Sequence, residues 1–186
     1  MNEVGISQAA ALFDDLEKWT TFFDLIAAKD QIVDIWYSVI VKHLKDKMNI
    51  NPNEWRFRKW QPRSWGWHIG SDPDSLVILY ENNNFCLWIN ESRYDVAAIR
   101  SQVNAKRLFL SFFEPSHIRD YGSYLAVMEN AISINNIKSP DLLAWFAAHE
   151  GPEQSQLLGD LHSFFSHFIC DPEMYTLITE VNTFKR

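Results

Sequence analysis

The sequence predicts an α+β fold, and three observations carry that prediction. Apolar residues recur at helical spacing before residue 50, alternate at strand spacing from Trp55 to about 90, and return to helical spacing through the C-terminal third. The expected architecture is an N-terminal helix pair, a small antiparallel sheet at about residues 55–90 covered by helices, and a helical C-terminal third. A chain of 186 residues buries roughly 70 % of the surface its unfolded form exposes, so a single domain, 1–186, needs no staple. Residues 120–186 are a candidate helical subdomain.

From Ser7 to Ala28, the residues Leu12, Phe13, Leu16, Trp19, Phe23 and Ile26 fall at steps of three and four, one face of an amphipathic helix with Ser7 as N-cap. A second stripe follows in Ile32, Val33, Trp36, Val39, Ile40 and Leu44, with Asp30 placed to cap it and Asn51-Pro52 to stop it. Two helices or one long bent helix fit this pattern equally well. The period then becomes two. Trp55 and Phe57 alternate with Arg56 and Arg58, and after Pro62 the residues Trp65, Trp67 and Ile69 alternate with Gly66 and His68.

The stretches Leu76–Tyr80 and Phe85–Ile89 flank Glu81-Asn82-Asn83-Asn84, and asparagine tolerates the left-handed backbone that a tight hairpin requires. Both faces of this hairpin are apolar, which calls for cover on both sides. Val96, Ile99 and Val103 restore the helical stripe, whereas Leu108–Phe113 fits either a further strand at 107–113 or the end of a helix. Tyr124–Ile132 reads as helix, Ser139-Pro140-Asp141 as a cap and first-turn proline for Leu142–His149, and Gly151-Pro152 as a break. A helix from about Glu153 to Cys170 turns Leu157, Leu158, Leu161, Phe164, Phe165 and Phe168 inward. Asp171-Pro172-Glu173 starts a last segment carrying Tyr175, Leu177, Ile178 and Val181.

With 47 % apolar and 22 % charged residues, the chain is excluded from the collagen-like and wholly disordered classes. Its longest apolar runs are about five residues against the roughly 20 that span a bilayer. Met1–Gly5 lacks the basic start of a secretory leader, so no membrane partner and a cytoplasmic location are expected. Cys86 and Cys170 lie in separate apolar segments without paired spacing and read as reduced core residues. The net charge of −7 is uneven: residues 1–119 carry 14 Lys/Arg against 15 Asp/Glu, and residues 120–186 carry 3 against 9. Trp55–Ser71, by contrast, holds Arg56, Arg58, Lys59 and Arg63 and no acid, a distribution that orients contact with a partner or between parts of the molecule.

Few motifs point to chemistry. The chain contains neither a Walker-type loop nor a dinucleotide fingerprint, and Ser64-Trp65-Gly66-Trp67-His68 lacks the first glycine of a nucleophile elbow, so no cofactor is expected. His149-Glu150 begins like a zinc-protease helix, but Gly151-Pro152 breaks it and Glu153 stands where the second histidine belongs. His167 and Cys170 share a helix face, whereas His162 lies about 140° round from His167, so no four-ligand metal site is expected. His43, His68 and His117 read as structural or solvated.

Pro73-Asp74 followed by Glu81-Asn82-Asn83 resembles the Pro-Asp…(Asp/Glu)-x-Lys pattern of restriction-type nucleases, with Asn83 in place of the lysine. That resemblance implies paired acids on a magnesium ion. A strand between Asp74 and Glu81 would hold them about 20 Å apart at roughly 3.3 Å per residue, too far to share one.

The densest signal is Trp55–His68, with four of the eight tryptophans and four basic residues in fourteen positions. Its candidate binding residues are Trp55, Arg56, Arg58, Lys59, Trp60, Arg63, Trp65, Trp67 and His68, because indoles and guanidinium groups anchor interfaces. Alternation also allows the aromatics to face a core and the arginines to face water, paired with C-terminal acids. The expected function is a non-catalytic, cytoplasmic protein-binding protein of inhibitor, immunity or adaptor type. The alternatives are a nucleic-acid module using strand 55–68, and a hydrolase or degenerate nuclease-like domain needing convergence of at least two of His68, Asp72, Asp74 and Glu81.

Overall fold

A computed structural model of the chain describes residues 15–48, 54–70, 72, 74–120 and 122–186. It divides into two compact units, residues 1–35 and 36–186, and the first helix, α1 (Leu16–Lys47), crosses the division. The break expected near Asp30 is absent: α1 runs unbroken, so of the two arrangements the sequence allowed, the chain takes the continuous helix over the pair. Ser7, Leu12 and Phe13 lie outside the described residues, as do Asn51 and Pro52. The start of α1 is held by Asp15, whose Oδ1 accepts from the Lys18 amide at 2.8 Å. In the first unit Trp19 packs on Phe22 and Phe23, and Leu16, Trp19, Phe23 and Ile26 of the expected stripe are exposed.

The second unit is built on a five-stranded antiparallel meander, β1 (Trp55–Gln61), β2 (Ser64–Ile69), β3 (Val77–Glu81), β4 (Asn84–Trp88) and β5 (Tyr124–Met128), in sequential order. The β3–β4 turn is the asparagine hairpin read from the sequence, with Asn82 and Asn83 at φ 48° and 64°. Asn83 is fully buried. Its side-chain amide donates to the carbonyls of Ile132 (3.0 Å) and Lys138 (2.9 Å), and its Oδ1 accepts from the Ile132 amide at 3.1 Å. One turn residue thus fastens the segment after β5 to the hairpin tip. Gly66 in β2 sits so close to β3 that a Cβ there would overlap the Ile78 carbonyl oxygen.

Between β4 and β5 lie α2 (Val96–Ser101), capped by Asp95 on the Ala98 amide at 3.1 Å, and α3 (Val103–Phe112). After β5 come α4 (Pro140–Ala148), α5 (Pro152–Ile169) and α6 (Pro172–Val181). Pro140 and Pro152 open their helices, where a missing N–H costs nothing, and Asp171 caps α6 through the amides of Glu173 and Met174. Ser139 makes no side-chain cap bond. One face of the sheet packs on α5. The Phe165 ring lies 4.5 Å from Trp67 and 5.5 Å from Trp65, and Phe164 stacks on Phe85 at 3.4 Å. Burying aromatics of this size removes on the order of 200 Å² each from water, the main force holding α5 to the sheet.

One open alternative is settled and two expectations are corrected. The option of a strand at 107–113 fails, because that stretch is the end of α3: Leu108 and Phe109 are buried while Leu110 is 41 % exposed, a helical period. Tyr124–Ile132, read as helix, begins instead as β5, which adds to β4 and places a strand inside the C-terminal third. Cys86 is buried as expected, but Cys170 is exposed at the end of α5. The α+β class stands, and no described helix is long and apolar enough to cross a membrane.

Candidate functional site

The strip Trp55–His68 is divided by the pleat. Trp55, Trp65 and Trp67 are on the helix-covered face, at most 5 % exposed, and belong to the core. Arg56, Arg58 and Trp60 fall on the second face, opposite in parity to Trp55. Lys59 is exposed, and Arg63 meets Asp141 at 3.3 Å, the pairing of strip arginine with C-terminal acid that alternation allowed. His68 is buried on the second face, where loss of hydration, more than any neighbour, lowers its pKa below 6.5.

The second face is covered by its own side chains. Val77, Leu79 and Cys86 are buried beneath partly exposed Trp60, Trp88, Tyr124 and Val127. Two β-bulges shape this arrangement. At the β1–β2 end the pairing steps from Lys59↔Trp65 to Gln61↔Ser64, so Trp60 is the extra residue, and Trp60 and Gln61 both turn toward Ser64. At the β4–β5 end it steps from Leu87↔Ala126 to Trp88↔Tyr124. Without that bulge Tyr124 would share the face of Ala126; with it, Tyr124 crosses to the side of Trp88.

The result is a hollow of about 140 Å³ floored by Leu79 and bounded by Trp60, Gln61, Ser64, Glu81, Trp88 and Tyr124. The Trp60 and Trp88 rings stand 6.5 Å apart at 61°. Tyr124 donates its hydroxyl to Glu81 Oε2 at 2.8 Å, and burial, reinforced by that carboxylate, raises the tyrosine's pKa so that it stays a donor. Arg58 lies over Trp60, 5.1 Å from the ring centre, but does not line the hollow. The sequence reading missed Trp88 and Tyr124. Trp88 was reachable, since the hairpin register sets it opposite Val77, whereas Tyr124 depends on a bulge that no local pattern announces.

The acids weighed for hydrolysis separate into two groups. Asp72 and Asp74 converge on Arg93, at 3.3 and 2.6 Å, and Asp72 also receives Lys185 Nζ at 2.6 Å and Tyr94 Oη at 3.0 Å. Arg58 stands 3.8 Å from Asp74. The Lys185 contact, above all, holds the Asp72 carboxyl down at about pH 2. Glu81 belongs instead to the Tyr124 hollow, so the nuclease-like pair is not assembled. No group of three His, Cys, Asp or Glu placed for a metal occurs among the described residues. His167 instead packs on Phe112 at 4.7 Å, and His162 lies 3.5 Å from Ser166 Oγ. A wider hollow of about 590 Å³ between the end of α1 and α5 holds His43 and His162, and burial lowers the pKa of His43.

The second unit is therefore an antiparallel meander with α5 on one face and an aromatic hollow on the other. In comparisons with models of protein families, with curated proteins and with solved structures, nothing matches the chain.

Proposed function

We propose that this is a non-catalytic binding protein of the cytoplasm, acting as an inhibitor, immunity factor or adaptor, and that it meets a protein partner with the second face of its sheet. The observation carrying this reading is the placement of Trp60, Trp88 and Tyr124, partly exposed around Glu81, on the face that also carries the exposed Arg56. Aromatic side chains held on rigid strands anchor interfaces because their burial gains area at little cost in side-chain freedom, and arginine adds a planar set of donors. The engagement of Asp72 and Asp74 by Arg93 and Lys185 supports a structural role for those acids over a catalytic one.

The test is affinity capture from native lysate with and without nuclease, comparing the wild-type chain with Trp88→Ala. A protein retained through nuclease treatment and lost with the variant supports the proposal. Retention abolished by nuclease and falling steeply with salt would replace it with the nucleic-acid reading. Turnover of a substrate by the purified chain would replace it with the hydrolase reading.

A further inference from the structure

We infer that the hollow bounded by Trp60, Trp88, Tyr124 and Glu81 is a recognition site for an N-methylated ammonium group. The inference shares its face with the function proposed above and deepens it by naming the chemistry recognised.

Shape comes first. Pockets for drug-sized ligands run roughly 300–1,000 Å³, whereas this one is about 140 Å³, room for a head group of a few heavy atoms. Its walls set the preference. Two indoles inclined at 61° and a phenol present aromatic rings from different directions, and the negative faces of such rings attract a cation. Arg58 already lies over Trp60, a contact of the same kind made from outside the hollow.

Glu81 supplies the formal countercharge. Its Oε2 is fixed by the Tyr124 hydroxyl, and no Lys or Arg of the described residues forms an ion pair with it. A primary ammonium carries three donors and a tightly held hydration shell that aromatic walls cannot replace. Methylation removes those donors and spreads the charge over apolar methyl groups, which Leu79 and the ring faces can contact. One bulge turns Tyr124 toward Trp88 and the other brings Gln61 to the side of Trp60 and Ser64, and two register shifts bordering one hollow fit a built site better than chance exposure of aromatics.

The test uses the full chain, isotope-labelled, with the indole N–H resonances of its eight tryptophans followed by NMR. Tetramethylammonium chloride is titrated against equal sodium chloride, and choline is compared with 3,3-dimethyl-1-butanol, its uncharged isostere. The expected result is saturable shifts at Trp60 and Trp88 with Trp65 and Trp67 unmoved, and binding weakened about tenfold or more by the isostere and by Glu81→Gln. The unmoved buried indoles also report that the variant is folded.

A second arm compares a trimethyl-lysine peptide with its unmodified form. Binding of the methylated peptide tighter than tetramethylammonium assigns the group to a protein side chain. Binding no tighter assigns it to a small free ammonium compound, and either outcome keeps the recognised chemistry. Absence of saturation, equal binding of the isostere, or indifference to Glu81→Gln overturns the inference. Because no partner is present in the assay, such a failure leaves the capture experiment above to decide the proposed function separately.

Discussion

Asn83 offers the sharpest contrast between local and tertiary reasoning. It occupies the second central position of a two-residue hairpin turn at φ 64°, where glycine is the residue such turns favour most. If Asn83 served the turn alone, Asn83→Gly would be neutral or stabilising by up to about 1 kcal/mol. The structure implies the opposite. The substitution removes two donated bonds and one accepted bond, and it leaves the Ile132 N–H and C=O buried without the partners they have now. Orphaning a buried polar group costs roughly 1–3 kcal/mol, so two such groups, less the relief at the backbone, give a net loss of about 2 kcal/mol. Urea unfolding followed by circular dichroism reads this as a fall in midpoint of about 1 M, taking a slope near 2 kcal/mol/M. Asn83→Ala, which adds left-handed strain, should lose about 1 kcal/mol more. An unchanged or raised midpoint for Asn83→Gly would refute the tertiary role.

Three further outcomes are expected. Gly66→Ala forces a methyl into the Ile78 carbonyl, so β2 and β3 must separate, and the melting temperature should fall by several degrees or the chain become insoluble. Phe165→Ala opens a cavity against Trp65, Trp67 and Phe85 and should cost about 3–5 kcal/mol, read by the same urea assay. Asp72 has its pKa lowered from 3.8 to about 2 in the folded state, so its contribution is complete above the unfolded value and disappears as pH drops from about 4 through 2. Asp72→Asn should therefore be less stable at neutral pH, by about 1 kcal/mol for a partly exposed ion-pair cluster, and should lose less stability than wild type across that acid window.

The parts of the fold legible in the sequence were those fixed by local chemistry. The Asn82-Asn83 turn, the helix-opening prolines 140 and 152, and the inward stripe of Leu157, Leu158, Leu161, Phe165 and Phe168 all took the expected form. The misreadings came where distant pairing decides. Residues 124–128, Tyr-Leu-Ala-Val-Met, mix helix and strand formers, and only the free edge of β4 makes them a strand. Leu108–Phe113 was too short for its period to settle before α3 placed Leu110 outward.

The candidate site was half visible. The tryptophan strip stood out, but parity separates Trp60 from Trp55, and Trp65 and Trp67 serve the core against Phe165. Tyr124 reaches Trp88 and Glu81 only through a shifted register, which has no sequence signature of its own.

Partners are expected to meet the second face of the sheet, where Trp60, Trp88, Tyr124 and Val127 are partly exposed. A photo-crosslinking residue placed at Val127, on that face, compared with one at Leu142, 49 % exposed on α4, tests it directly in native lysate. A protein adduct that forms from position 127 and not from 142, and that Trp88→Ala suppresses, is the expected result. An adduct from 142 alone, or one from 127 that ignores Trp88, would contradict that expectation.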